Sequence, residues 1–475
     1  MALMLANCGG GGSSTPTPGP PVGGPQPTPI PGADLAITNV RLVAMDGTGP
    51  RDAMTVRVKD GLILEIGQSA STEADAARTI DGTGLTMTPG LIDAHVHVYD
   101  DYELPLFPAN GVTTVRNMWG TPGILDLRTQ VRSGALFGPE IVTSGPIIDG
   151  DPPFWPTGDV ARTPAEGRAL VQAHKAAGYD FIKVYFGLDA ATFDAIRDEA
   201  AAQGMQYAGH APRDFGIEQT YGSDIWSVEH LDGYLRAIVD PASGYDPATS
   251  DLDDLFAVLR QIRDGQRPAS DLFSPAKRLE LAELSANADT AHVPTLSLWQ
   301  MRYLTRAEEA AMRARPEMRF IHPAVRQEWA DAAISLFTRF TDEQIDLLDL
   351  QHDEDFRIIA DLLANGAEVA VGTDARNPYV LFGFAIHDEL GFLVEGGLTP
   401  TEALMLATIR TAEFLDLQAE IGTVEVGKQA DLVLFGSDPT VDIANSRTIA
   451  GVVVDGRYST RAQIDAELEA VANGF

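Results

Sequence analysis

Two histidines, His95 and His97, stand two positions apart within an apolar run over residues 90–98 that is typical of a β-strand. Side chains at positions i and i+2 of a strand point to the same side, so both imidazoles can reach one metal ion. With nine histidines among 475 residues, such a pair can also arise by chance. The pair therefore indicates a metal site only if further ligands accompany it.

Four more residues with suitable chemistry fall on predicted strands. His210, His230 and Asp374 each close a short apolar run, and imidazole and carboxylate groups are common ligands of Zn2+. Lys183 is a charged residue inside an apolar run, and a buried ammonium group needs a partner or a modification. Each residue alone could be an ordinary core polar group, but all six in this order indicate one metal site.

The elements that must position these residues alternate between strand-like runs and helical patterns. Such alternation is typical of βαβ units and a parallel sheet. In a (β/α)8 barrel the C-terminal ends of the strands meet at one face, so residues far apart in sequence can share a site. The sequence therefore predicts an α/β fold with a (β/α)8 TIM barrel over residues 89–409 that binds the metal.

The two ends of the chain have a different sequence pattern. Short strand-like runs separated by turn residues occur over residues 34–88 and again over residues 410–460. An Asp-Gly turn at Asp46-Gly47 between alternating apolar runs predicts a hairpin. We expect both segments to pair into one small β-sandwich domain, with the barrel inserted between them. Residues 461–475 are predicted to form a C-terminal helical tail.

Residues 1–33 form a tract rich in Gly, Pro, Ser and Thr, which predicts a flexible tail. Leu5-Ala6-Asn7-Cys8 resembles the lipobox of bacterial lipoproteins, although Asn7 replaces the usual small residue and the apolar stretch is short. The resemblance implies a lipid anchor through Cys8 and an exported protein, in the periplasm or tethered to the outer membrane. The alternative is a cytoplasmic enzyme with a frayed tail.

The net charge and the cysteine count exclude several classes of function. Sixty-eight acidic residues against 34 basic ones give a formal charge of -34, which would repel a polyphosphate backbone and excludes nucleic acid as the expected partner. The single cysteine excludes an intrachain disulfide and a cysteine-rich zinc cluster. A small-molecule partner is expected, and an oligomer is possible.

The ordered motifs resemble those of the amidohydrolase superfamily, specifically its binuclear metal-dependent hydrolases, nearest to the imidazolonepropionase-related branch that includes Xaa-Pro dipeptidases. The resemblance extends from Asp34 to about Arg457. Its motifs are Pro89-Gly90-Leu91-Ile92-Asp93-Ala94-His95-Val96-His97, Gly111-Val112-Thr113-Thr114-Val115-Arg116, Lys183, Gly209-His210, Glu229-His230, Gly372-Thr373-Asp374 and Gly427-Lys428-Gln429-Ala430-Asp431-Leu432-Val433.

The resemblance implies two divalent metal ions, with Zn2+ as the expected metal, and a role for each ligand. One metal would be held by His95, His97 and Asp374, and the other by His210 and His230. Lys183, carboxylated by carbon dioxide to a carbamate, would bridge both. A metal-bridging hydroxide would attack the substrate, Asp374 would transfer the proton, and Tyr234 would support the developing oxyanion. Tyr234 could equally be a packing residue on a helix.

The expected reaction is hydrolysis of an amide or peptide C–N bond in a dipeptide, an N-acyl amino acid or a related amide. The same site could instead hydrolyse an ester, a lactone or a phosphotriester. The alternative outside the enzymes is a binding protein tethered to the cell surface. Ser144-Gly145-Pro146 stands where related dipeptidases carry Gly-Gly-His, which leaves room for neutral or larger amides. Candidates for an apolar wall, or for ordinary packing, are Trp299, Met301, Tyr303 and Tyr379.

Overall fold

The computed structural model of the chain describes residues 32–288 and 290–475. The predicted lipid anchor at Cys8 lies outside the described residues. Within the described ranges, no helix is long and apolar enough to cross a membrane.

Strands from the two ends of the chain pair into one eight-stranded sheet. Its order is β17-β16-β15-β5-β1-β2-β3, with β4 paired to β1. The antiparallel pairing of β5 with β15 joins the N-terminal strands to the C-terminal ones. The strands are β1 Ala33–Leu42, β2 Arg51–Lys59, β3 Leu62–Gln68, β4 Ala76–Asp81, β5 Thr86–Pro89, β15 Leu432–Phe435, β16 Ile449–Val454 and β17 Arg457–Thr460.

The predicted β-sandwich requires two facing sheets. The strands from both chain ends do pair, but as one sheet, and a two-layered sandwich is not confirmed. Alternation of apolar and polar residues predicts one buried and one exposed face for each strand, and this pattern is the same for one twisted sheet and for two facing sheets.

The middle of the chain forms two parallel sheets, of three and six strands. The three-stranded sheet has the order β6-β7-β8, and the six-stranded sheet has the order β10-β9-β11-β12-β13-β14. The predicted mixed α/β fold is therefore confirmed. The strands are β6 Leu91–Val96, β7 Val112–Asn117, β8 Glu140–Thr143, β9 Ile148–Asp149, β10 Asp159–Val160, β11 Phe181–Val184, β12 Gln206–Gly209, β13 Ser227–Glu229 and β14 Ala291–Val293.

The run over residues 368–373, predicted as a strand, makes only an isolated bridge, at Val369 with His292, and Ala375 just beyond it makes another with Val96. Backbone hydrogen bonds still hold it between β14 and β6: the N–H of Ala370 donates to the carbonyl of His292 at 2.9 Å, and the N–H of Asp374 donates to the carbonyl of His95 at 2.8 Å. A third isolated bridge, between Ser144 and Phe181, joins the two parallel sheets.

Helices follow most of the parallel strands, and their apolar residues share one large core with those strands. The last helix buries Ile464, Leu468 and Val471. The α-helices are α1 Leu106–Ala109, α2 Pro122–Arg132, α3 Pro164–Ala177, α4 Ala190–Gln203, α5 Ile217–Tyr221, α6 Tyr234–Ile238, α7 Leu252–Arg263, α8 Pro275–Ala288, α9 Leu296–Arg302, α10 Arg306–Arg313, α11 Pro323–Arg339, α12 Asp342–Asp349, α13 His352–Ala364, α14 Ala385–Glu395, α15 Pro400–Met405, α16 Thr411–Phe414 and α17 Arg461–Asn473.

Candidate metal centre

Three of the predicted ligands converge at the C-terminal end of β6. Nε2 of His97 lies 2.8 Å from Oδ1 of Asp374, and Nε2 of His95 lies 3.3 Å from the same oxygen. One ligand atom from each residue lies within 4.8 Å of the other two. Two imidazole nitrogens and one carboxylate oxygen, mostly buried and facing one point, are a donor set suited to a Zn2+ ion.

The other three predicted ligands line the same cavity, which has a volume of about 700 Å³. The imidazole ring of His230 stands between those of His95 and His210, at centroid distances of 4.7 and 5.2 Å. Lys183, from β11, is 1 % exposed and also lines the cavity. The structure thus brings all six predicted ligands together around one opening.

Three of the four histidines use Nδ1 to bind the protein, which leaves Nε2 for a metal. Nδ1 of His95 donates to Glu229 at 2.7 Å, and Nδ1 of His210 donates to Asp232 at 3.0 Å. Nδ1 of His230 lies 2.7 Å from Oγ1 of Thr295, whose hydroxyl already donates to the carbonyl of Pro294. A proton on Nδ1 places the lone pair on Nε2, so these residues fit a metal centre.

A buried ion pair supports the floor of the cavity. The guanidinium group of Arg116 donates to both carboxylate oxygens of Glu229, at 2.9 and 3.0 Å, and both side chains are fully buried. Arg116 also donates to the carbonyl of Ala94 and to the hydroxyl of Ser227. These bonds fix the carboxylate that orients His95, and they satisfy charges that would otherwise be costly to bury.

Glycines allow two of the close approaches in this site. A Cβ atom at position 372 would lie 2.8 Å from Cβ of His95, and one at position 209 would lie 2.8 Å from Cδ of Lys183. A glycine at position 209 also tolerates the φ of +123° that the backbone adopts there. Larger residues at these positions would displace the ligands.

Several residues at the ends of the parallel strands have left-handed backbone conformations. His230 has a φ of 62°, Thr295 of 52° and Asp374 of 62°. Left-handed φ is uncommon for residues other than glycine and costs free energy, most of all for a β-branched residue such as threonine. Such strain is often found at functional sites, where the surrounding structure holds a side chain in place.

The electrostatic environment sets the protonation of these groups. Burial lowers the pKa of His95 to about 4 despite the carboxylates of Asp374 and Glu229, so its imidazole is neutral at pH 7. Burial alone would raise the pKa of Asp374, but His95 and His97 outweigh it and hold that pKa well below its usual range. Burial lowers the pKa of Lys183 to about 8. Neutral imidazole and ionised carboxylate are the forms that bind metal.

Tyr234 is not brought to the cavity. Its side chain is fully buried, its ring lies 5.9 Å from that of His292, and it is absent from the residues that line the opening. Its position at the start of a short helix directs the side chain into the core. The packing alternative for Tyr234 therefore fits the structure better than the oxyanion role.

The four residues predicted as candidates for an apolar wall do not line one cavity. Trp299 lines the cavity, and its Nε1 donates to the carbonyl of His230 at 3.1 Å. Met301 and Tyr379 line a neighbouring cavity of about 250 Å³. Tyr303 lines neither of these two cavities, and its ring lies 6.3 Å from that of His352.

Sequence reasoning missed the residues that orient the ligands, namely Arg116, Glu229, Asp232 and Thr295. Like Lys183, Arg116 and Glu229 are charged residues within apolar strands. This pattern could have identified both as members of the site. Asp232 and Thr295 show no comparable signal. The aromatic residues Trp119, Phe154, Trp155, Tyr185 and Phe186, which also line the cavity, were not assigned to the site.

Comparison with known proteins agrees with this geometry. The sequence model described as "Amidohydrolase family" matches residues 107–458. The chain belongs to this family. A 5'-deoxyadenosine deaminase of Methanobrevibacter smithii is 32 % identical over 103 residues, which are 20 % of this chain and 24 % of the deaminase. This amidohydrolase thus matches only about a quarter of the length of that curated relative.

Solved structures match this amidohydrolase over most of its length. A bottromycin amidohydrolase has a TM-score of 0.73 and 23 % identity, covering 92 % of this chain and 90 % of its own. A Xaa-Pro dipeptidase with bound methionine in its active site has a TM-score of 0.63 and 20 % identity, covering 90 % and 99 %. At these identities the likeness shows the fold.

The predicted amidohydrolase superfamily is confirmed, and its members are hydrolases that act on C–N bonds. The family is metal-dependent, and the cluster of His95, His97 and Asp374 is a possible metal site. The roles of the individual site residues stay predictions.

Proposed function

We propose that this amidohydrolase cleaves an amide or peptide C–N bond with the help of two divalent metal ions, with Zn2+ as the expected metal. The observation that carries the proposal is the convergence of four imidazoles, one carboxylate and one buried lysine on a single cavity. Nδ1 of three of these histidines is already bonded to the protein. This donor set requires no cysteine, in agreement with the composition.

The proposed arrangement assigns His95, His97 and Asp374 to one metal and His210 and His230 to the other. Lys183 would bridge the two metals as a carbamate. Among residues 32–288 and 290–475, no hydrogen bond or ion pair reaches Nζ of Lys183. A pKa of about 8 leaves a fraction of this amine neutral near pH 7. The neutral amine can attack carbon dioxide, forming an N–C bond and losing a proton, to give an anionic ligand.

We propose that the two parallel sheets are parts of one eight-stranded barrel that includes the segment over residues 368–375. Three parallel bridges support this closure. The bridge Ser144–Phe181 links the two sheets. The bridges His292–Val369 and Val96–Ala375 link the segment over residues 368–375 to β14 on one side and to β6 on the other. In such a barrel the six ligands would all lie at the C-terminal face, where enzymes of this architecture carry their active sites.

When bound, the metal ions supply a water molecule that loses its proton near neutral pH and a Lewis acid for the scissile carbonyl. Asp374, ionised because its pKa is depressed, accepts a proton at its carboxylate and delivers it to the leaving amine nitrogen. Glu229 holds His95 in one orientation, and Asp232 does the same for His210.

The proposed substrate is a dipeptide, an N-acyl amino acid or a related small amide. The names of the structural neighbours, an amidohydrolase of bottromycin and a Xaa-Pro dipeptidase, support an amide or peptide substrate. In this chain Gly145 lies directly against the imidazole of His174, and an added Cβ would clash with its Nδ1. His174 is buried and does not line the cavity, so it is not available to the substrate.

Two measurements test the proposal. Metal analysis of protein loaded with Zn2+ and then desalted should give about two ions per chain, and a screen of dipeptides, N-acyl amino acids, aryl esters and lactones should find hydrolysis of amides. One ion per chain, or none, would contradict the binuclear assignment. Turnover of esters or lactones without any amide would show that the same site serves the alternative reaction.

A further inference from the structure

An arc of aromatic side chains runs along one side of the cavity. From His97 outward, successive ring centroids are 6.4 Å apart to Trp119, 5.6 Å to Trp155, 5.1 Å to Phe154 and 5.2 Å to Phe186. The spacings are those of edge-to-face and offset aromatic contacts.

The arc continues to the second group of ligands. Tyr185 lies 4.5 Å from the ring of Phe186 and 4.5 Å from that of His210. We call Trp119, Phe154, Trp155, Tyr185 and Phe186 the aromatic arc. It connects one proposed metal ligand, His97, with another, His210, so a group lying on the arc would be close to ligands proposed for each metal.

The outer part of the arc is exposed. Phe154 is 52 % exposed and Trp155 is 43 % exposed, and both line the cavity. Large aromatic surfaces are unfavourable in water, and when they line a concave opening they commonly mark a ligand site. These two rings therefore have surface available for a ligand in the same cavity as the proposed metal ligands.

The loop that carries the exposed rings is held from below by Asp149, which is 1 % exposed. Its carboxylate accepts hydrogen bonds from the backbone N–H groups of Gly150 at 2.8 Å, Phe154 at 2.7 Å and Gly187 at 2.8 Å. Nε1 of Trp155 donates to the hydroxyl of Tyr185 at 3.2 Å. The arc is thus positioned before any ligand binds, which lowers the entropic cost of binding.

The charges around the arc favour a neutral occupant over a cation. No residue of the arc is charged at neutral pH, and the carboxylate of Asp149 is already used by three backbone groups. The guanidinium group of Arg213 lies 4.4 Å from the ring centre of Phe186. Apart from the proposed ligands, the charged residues that line the cavity are Arg302, Arg376, Asp232 and Glu328. Asp232 is already bonded to His210, and Glu328 to Arg376. An ammonium group on the arc would be repelled by Arg213, whereas a neutral ring would meet no such penalty.

We propose, on the basis of the amide hydrolysis inferred above, that the aromatic arc is a subsite for an aromatic ring of the amide substrate. The substrate class is an amide with a neutral aromatic group close to the scissile bond. Phe154 and Trp155 contact that ring and determine the specificity of the enzyme for it.

The test compares two substrates and two variants of the full metal-loaded chain. The substrates are N-acetylphenylalanine amide and N-acetylalanine amide. The ratio of their kcat/KM values should favour the phenylalanine compound by about tenfold, and the double substitution Phe154→Ala with Trp155→Ala should bring that ratio close to one. The matched control is Phe475→Ala, because Phe475 is 39 % exposed and does not line the cavity; it should leave the ratio unchanged.

A binding measurement separates failure of the subsite from failure of amide hydrolysis. Binding of N-acetylphenylalanine amide should quench the fluorescence of Trp119 and Trp155 in the wild-type protein. Because the double variant lacks the Trp155 fluorophore, its binding is measured by calorimetric titration, which should show that the binding is lost. If wild-type protein cleaves neither amide but still shows this quenching, the subsite stands and the proposed reaction is wrong. An unchanged ratio in the double variant, or quenching by phenyltrimethylammonium instead of the neutral amide, would overturn the proposal.

Discussion

The floor and the rim of the cavity are built in opposite ways. On the floor, Arg116 and Glu229 are fully buried and bonded to each other, and they hold His95 in place. On the rim, Phe154 and Trp155 are about half exposed and neutral. Removing a group from the floor leaves a buried charge without a partner, whereas removing a ring from the rim mainly removes contact area. We therefore expect reactivity and stability to depend on the floor, and specificity to depend on the rim.

The largest loss of activity is expected from Asp374→Asn. Asparagine keeps the shape and tolerates the left-handed backbone, but it cannot accept the proton, so kcat for the best amide should fall by about 1,000-fold. Steady-state kinetics would measure the change. Asp416→Asn is a matched control, because Asp416 is an exposed aspartate with a φ of 59°, and this variant should keep wild-type kcat.

Lys183→Ala should lose activity by at least about 100-fold, because the proposed bridging ligand disappears. A small carboxylic acid such as propionate should restore part of the activity of this variant by occupying the space of the carbamate. The control is Lys175→Ala, at an exposed lysine. No loss of metal and no rescue by propionate would argue against a carbamate at position 183.

Glu229→Gln should weaken both metal binding and folding. It leaves the buried guanidinium of Arg116 without a counter-charge, so the free energy of unfolding of metal-free protein should fall by about 3 kcal/mol. Because His95 loses a charged partner, metal affinity should fall by about tenfold. Denaturant unfolding and metal titration measure the two effects, and unchanged stability would contradict the importance of this ion pair.

His292 should make the free energy of unfolding decrease in acid. Burial lowers the pKa of His292 to about 3, below the value of about 6.5 in the unfolded chain. Between these values the unfolded state binds the extra proton, so stability falls as the pH decreases, by up to about 1.4 kcal/mol per pH unit. His292→Gln should show a shallower loss of unfolding free energy from pH 6 to pH 4, and an equally steep loss would refute this assignment.

The smallest effect on stability is expected at the rim. Trp155→Ala should change the free energy of unfolding by less than about 1 kcal/mol, because the side chain is 43 % exposed. Trp226→Ala is the matched substitution at a partly buried tryptophan, whose ring stacks on Phe414 and on the guanidinium of Arg116, and it should cost about 3 kcal/mol. Equal losses in the two variants would remove the distinction between floor and rim.

Much of the metal centre could be predicted from the sequence because its ligands lie at the ends of parallel strands. Strand ends are visible as short apolar runs, and the geometry of parallel sheets brings them to one edge. This geometry predicts the positions of His210, His230 and Asp374 from the sequence alone. The same reasoning identified the mixed α/β fold and the pairing of strands from the two chain ends.

Other features depend on contacts that no local pattern encodes. His210 is bonded to Asp232, and His230 to Thr295. These pairings depend on the three-dimensional arrangement of the loops that follow the strands. Tyr234 has the expected spacing from His230, yet its short helix turns the side chain into the core. The segment over residues 368–375 has the composition of a strand but makes only isolated bridges.

The pairing of β5 with both β1 and β15 has a consequence for synthesis on the ribosome. The first five strands emerge early, but their neighbour β15 is translated only after the whole middle of the chain. Until then Thr86–Pro89, which is entirely buried in the finished protein, presents an unpaired edge to the surrounding solvent. Such edges attract other strands, so nascent or truncated chains of this protein should be the forms most in need of a chaperone.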